Sequence, residues 1–188
     1  MMGGMKWNAT LVVMLSAWII CAKTQAQAPA PLPGFEQRVR VEVLRDKKTR
    51  IKGGDADDKT DQISFTVKLT NTDTRATFDS CKGEFYVFAE SILNRKAFKL
   101  LGADNFEFAL PPRGTHSFTS KETTTLWDRT DARFGAKYDA WVLVVRDAAG
   151  KVILKKSSAP TWLPVAEQMN TLNENSFYGR DLKPARER

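Results

Sequence analysis

Trp127 stands in Leu126-Trp127-Asp128-Arg129-Thr130-Asp131, a flat ring set among polar, turn-forming residues. Rings of this kind stack on the apolar faces of pyranoses, with polar neighbours left to hydrogen-bond the hydroxyls. Trp127 is therefore the first candidate for a saccharide platform. Trp162, between Pro160 and Pro164, is the second, with a competing role as a pin holding the C-terminal tail to the domain. Tyr178 is a third ring of the same class. Trp141 lies in Tyr138–Val145, the most hydrophobic segment after the leader, and reads as core.

The segment Gly53-Gly54-Asp55-Ala56-Asp57-Asp58-Lys59-Thr60-Asp61 offers a different chemistry. A hard cation such as calcium collects several carboxylate and carbonyl oxygens at one point, and a loop can converge them. Asp55, Asp57 and Asp61 sit at odd offsets that resemble the start of an EF-hand loop. The likeness stops at the sixth position, where Thr60 replaces glycine, and at the twelfth, where Thr66 replaces glutamate. A solvated loop between two strands is the commoner use of such a segment.

Catalytic constellations are thin. His116 is the single histidine, and its neighbour Ser117 would point to the opposite face of a strand. A zinc site needs several histidine or cysteine ligands. A leader cleaved after Ala28 would remove Cys21 and leave Cys81 as the only thiol. Lys52-Gly53-Gly54 lacks the spacing of a phosphate loop. These residues predict a protein without a catalytic apparatus, an unrecognised hydrolase being the enzymatic alternative.

Positioning elements follow a simple plan. Residues 1–28 join a basic start (Lys6), an apolar run (Ala9–Ala22) and small residues (Thr24–Ala28), the layout of a secretory signal peptide. Residues 29–36 form a Pro/Ala-rich linker, 37–160 a β-domain and 161–188 a tail, expected to be mobile at its end, with a short helix at 165–172. The leader predicts export to the periplasm or the extracellular space. No second hydrophobic span follows, so no transmembrane segment is expected in the mature chain. Its loss would lower the basic residues from 29 to 27 against 22 acidic ones, a net charge of +5. A charge of that size, spread along the chain, selects no class of partner. An envelope protein or a surface polysaccharide fits an exported module, and nucleic acid does not.

Apolar and polar residues alternate at Val39–Val43 and Ile63–Leu69, while Glu84–Ala89 and Tyr138–Val145 are apolar on both faces, as central strands are. Short runs at Ala97–Leu101, Phe106–Leu110 and Lys151–Lys156 add strands, and Thr115–Thr125 adds one with a polar face. Seven or eight strands punctuated by turns predict an all-β antiparallel sandwich. Ala136-Lys137-Tyr138-Asp139-Ala140-Trp141-Val142 resembles the sixth strand of immunoglobulin-like domains. The resemblance makes Tyr138 the corner tyrosine and puts Ala140 where the cysteine stands, with Phe85 and Phe88 in place of the usual tryptophan. The expected core is Val39, Val41, Ile63, Phe65, Val67, Phe85, Val87, Phe106, Phe108, Tyr138, Ala140, Val142, Val144 and Val152. Together these features predict a non-enzymatic exported binding or scaffolding module, or a carbohydrate-binding module, with calcium as its one conceivable cofactor.

Overall fold

The computed structural model describes residues 34–51, 58–128 and 134–187. The expected leader, most of the linker, Asp55, Asp57 and residues 129–133 lie outside the described residues. A single helical turn, α1 (Phe35–Arg38), leads into β1 (Val39–Ile51), β2 (Asp58–Asn71), β3 (Phe78–Ser91), β4 (Phe98–Leu110), β5 (Thr115–Thr119), β6 (Thr123–Asp128), β7 (Ala136–Arg146) and β8 (Val152–Ser157). A 3₁₀ helix (Pro160–Thr171) and β9 (Phe177–Tyr178) follow.

Alternation along β2 explains the first sheet. Ile63, Phe65, Val67 and Leu69 are fully buried on one face, while Ser64, Thr66, Lys68 and Thr70 lie on the other. β1 pairs antiparallel with one flank of β2 over its whole length. On the other flank, β5 covers Thr66–Thr70 and β6 covers Asp58–Ile63. The single strand expected over Thr115–Thr125 is interrupted because the Ser120 hydroxyl accepts the Phe65 N–H at 2.9 Å and turns the chain there.

The second sheet has the order β8-β7-β3-β4-β9, antiparallel throughout. Ile63, Phe65 and Val67 of the first sheet meet Phe85, Val87, Leu143 and Val145 of the second in one apolar layer, so the fold is a two-sheet sandwich. The outer face of the second sheet carries a further layer. There Tyr86, Phe88, Leu100, Val142 and Val144 pack against Trp162, Ala166 and Met169 of the 3₁₀ helix and against Tyr178. That third layer is why β3 and β7 are apolar on both faces. The tail expected to be mobile is instead laid on this sheet, with β9 paired to Phe98 and Lys99.

Two β-bulges at the level of Phe88 change which side chains face inward. Val87 pairs with Gly102 and Phe88 with Leu100, leaving Leu101 as an extra residue in β4. Phe88 pairs with Ala140 and Ala89 with Tyr138, leaving Asp139 extra in β7. A bulge shifts the alternation by one residue. Tyr138 accordingly packs in the inter-sheet layer, its ring 5.7 Å from Phe65, while Ala140 faces the outer layer. This corrects the expected placement of Ala140: it does not occupy an inter-sheet cysteine position. The Tyr138 hydroxyl meets the Ser158 hydroxyl at 3.5 Å rather than an upstream backbone group. Of the other expected core residues, Val41, Phe106, Tyr138 and Val152 are half-buried and pack at the margins of the two layers.

Candidate functional site

Trp127 belongs to β6, not to a loop, and pairs in register with Lys59 of β2. Directly opposite residues of an antiparallel pair point to the same face, and the Lys59 ammonium lies 5.7 Å from the centre of the indole. The Lys137 ammonium, from the start of β7, lies 5.1 Å from it. The ring is half-buried. It borders an open cavity of about 420 Å³ shared with Glu90, Ser91, Ile92, Arg95, Asp128 and Lys137. That volume falls within the ~300–1,000 Å³ typical of small-molecule sites.

A buried carboxylate holds the ring in place. The Trp127 Nε1–H donates to Asp61 Oδ2 at 3.1 Å. Asp61 is 1% exposed, accepts the Thr49 hydroxyl at 2.7 Å and pairs with the Lys47 ammonium at 2.8 Å. Burial by itself raises the Asp61 pKa, but the hydrogen bonds from Lys47, Thr49 and Trp127 outweigh it and keep the carboxyl below its ordinary 3.8. Side chains from three strands of one sheet thus fix the plane of the indole. The two ammoniums over it are held more loosely, since a cation–π contact at an exposed site is worth only ~0.5–1 kcal/mol.

Because the folded-state pKa of Asp61 is depressed, its stabilisation is complete above the unfolded value and disappears as pH falls through the folded one. Asp61→Ala should lower stability by about 1–3 kcal/mol at pH 7, chiefly by leaving the Trp127 N–H without an acceptor. It should also flatten the loss of stability expected below about pH 4. Urea titrations across pH check this, and parallel wild-type and variant profiles would refute it.

The other expected site residues fall elsewhere. Trp162 is completely buried under the third layer and cannot meet a ligand. It pins the tail: its ring stacks on Phe88 at 4.3 Å and its Nε1–H donates to Asp139 Oδ2 at 3.2 Å. Tyr178 is likewise buried. Asp61 is committed to Lys47, Thr49 and Trp127, so a cation bound through it would have to displace the Lys47 ammonium. Among the described residues no three His, Cys, Asp or Glu side chains converge as metal ligands. His116 stacks against Phe108 at 5.3 Å, while Ser117 lies on the exposed face of β5. Cys81 is buried in the inter-sheet layer, and desolvation, with Asp147 and Asp79 nearby, pushes its thiol up. No helix among the described residues is long and apolar enough to cross a membrane. Sequence reasoning missed Lys59, Lys137 and Arg95, whose convergence depends on strand register and on contact between the two sheets.

No protein family and no curated protein matches the chain. Among solved structures it is similar to the Northeast Structural Genomics Consortium target SoR45, at 14% identity over 67% of this chain and 90% of that one, with a TM-score of 0.35. A structure from Akkermansia muciniphila shares 13% identity over 79% of this chain and 89% of that one, with a TM-score of 0.34.

Proposed function

We propose that the chain is a non-enzymatic, exported binding module of immunoglobulin-like type, and that it grips a saccharide at Trp127. The leader-like layout of residues 1–28 supports export. The strand order supports the immunoglobulin-like reading: β1-β2-β5 on one sheet and β8-β7-β3-β4 on the other, with the chain crossing between sheets after β2, β4 and β6. The observation that carries the saccharide reading is the indole itself, half-buried beside a cavity and held by a buried carboxylate. A rigid ring stacks on a ligand at little cost in entropy. Calcium has no part in this reading, because Asp61 already has three partners.

Titrating soluble polysaccharides against intrinsic tryptophan fluorescence tests the proposal. A bound polymer should shift the emission, and Trp127→Ala should weaken binding about tenfold or more, as loss of a stacking anchor does. Trp127→Phe, which keeps a ring, should fall between the two. Wild type and Trp127→Ala giving the same isotherm would end the saccharide reading.

A second reading rests on β1. Its sole strand partner among the described residues is β2, and Leu44 and Ile51 on it are 67% and 60% exposed. A free edge of this kind accepts an extended segment of an envelope protein. Slowed amide exchange at residues 44–51 on adding envelope extract supports it, and unchanged exchange there rules it out.

A further inference from the structure

Three cations, Lys59, Lys137 and Arg95, stand near Trp127, the last two on the wall of its cavity. Lys59 and Lys137 approach the ring from different sheets, and Arg95 lines the cavity from the segment after β3. None of the three forms an ion pair among the described residues. The nearby Lys47 charge is already matched by Asp61. On the acidic side, Asp128, which is buried and engaged in contacts of its own, and Glu90 are the carboxylates on the cavity wall among the described residues. Like charges gathered round a partly enclosed space repel one another unless an anion joins them.

We propose that this site selects a carboxylate-bearing pyranose, the repeating unit of a uronic-acid polymer. The inference rests on the saccharide reading above and adds the charge of the ligand. The sugar ring lies on the indole in place of the loosely held ammoniums. Its carboxylate takes the Arg95 guanidinium and the Lys137 and Lys59 ammoniums in charge-assisted hydrogen bonds. Glu90 accepts from the ring hydroxyls, an arrangement that a bare inorganic anion cannot use. Selectivity follows from the pairing of a flat apolar platform with positive charge beside it: a neutral sugar satisfies the first alone, and a simple polyanion the second alone.

Calorimetric titration of the whole chain with oligogalacturonate, alginate and hyaluronan tests the proposal, with methyl-esterified oligogalacturonate and polyphosphate as the neutral and ring-free counterparts. At least one uronic-acid polymer should bind tenfold or more above both counterparts, with an affinity that falls as salt rises. Lys137→Gln and Arg95→Gln should each lose severalfold toward that polymer and leave the esterified sugar unaffected. Equal affinity for acid and ester would overturn the proposal while leaving the saccharide reading in place. Binding to no sugar, or binding untouched by Trp127→Ala, would overturn both. Polyphosphate binding as tight as the best sugar would reduce the site to simple anion attraction and overturn the proposal as well.

Discussion

Trp162→Ala is expected to destabilise the domain by about 3–5 kcal/mol, the usual cost of removing a buried tryptophan. For a domain of this size that is a fall in Tm of roughly 6–20 °C. The ring is completely buried, stacked on Phe88 at 4.3 Å and met edge-on by Phe98 at 5.2 Å. Arg180 spans Phe98 and Trp162 with its guanidinium, 4.0 and 4.7 Å from the two ring centres, and pairs with Asp139 at 3.2 Å. Removing the indole therefore leaves a cavity between two layers and takes one of its donors from the Asp139 carboxylate, which also accepts from Arg180. Trp162→Phe keeps most of the stacking area and should cost less, about 1–2 kcal/mol, for the lost donor and the smaller ring. Urea denaturation separates the outcomes. A near-wild-type midpoint for Trp162→Ala would mean that the third layer contributes little to the fold.

Residues with a strict period were legible from sequence, and residues placed by a bulge or by another layer were not. Ile63, Phe65, Val67 and Leu69 alternate without interruption, and all four are buried as that pattern requires. β3 and β7 announce a central position through apolar residues on both faces, yet nothing in them names what covers the outer one. The cover is a 3₁₀ helix with Pro164 inside it, whose inward residues, Trp162, Ala166 and Met169, stand at gaps of four and three residues rather than at one strict period. Asp139 was unreadable for a different reason. An extra residue in one strand shows only against its partner's register, and it turns that carboxylate outward to receive Trp162 and Arg180.

The candidate site divides in the same way. Trp127 stands out by residue type, and Asp61 as an acid in an acidic segment. Their relation, an anchor and the ring it fixes, comes from neighbouring strands of one sheet over a separation of 66 residues. Lys59, Lys137 and Arg95 are three of 29 basic residues spread along the chain, and composition cannot single them out. Only the pairing of Lys59 with Trp127 and the approach of β7 to β6 bring them together.

That approach depends on Gly135, and Gly135→Ala should cost about 2–4 kcal/mol while displacing Trp127. Gly135 forms a bridge with Trp127 and accepts the Ile92 N–H at 3.0 Å, tying the end of β6 to the segment after β3. Its φ is +100°, a conformation that L residues rarely adopt. A Cβ there would lie 2.1 Å from the Leu126 carbonyl oxygen and 2.7 Å from Trp127 Cα, and both are backbone atoms that cannot step aside alone. Gly150 provides the comparison, because its φ is +80° and an added Cβ meets nothing within 4 Å. Gly150→Ala should therefore show the conformational cost alone, about 1 kcal/mol. The difference between the two variants measures the close packing at Gly135. Near-ultraviolet circular dichroism should change in Gly135→Ala and not in Gly150→Ala, with saccharide binding lost only in the former. Equal destabilisation with an unchanged tryptophan signal in both would show that β6 and β7 do not need this contact to hold the indole in place.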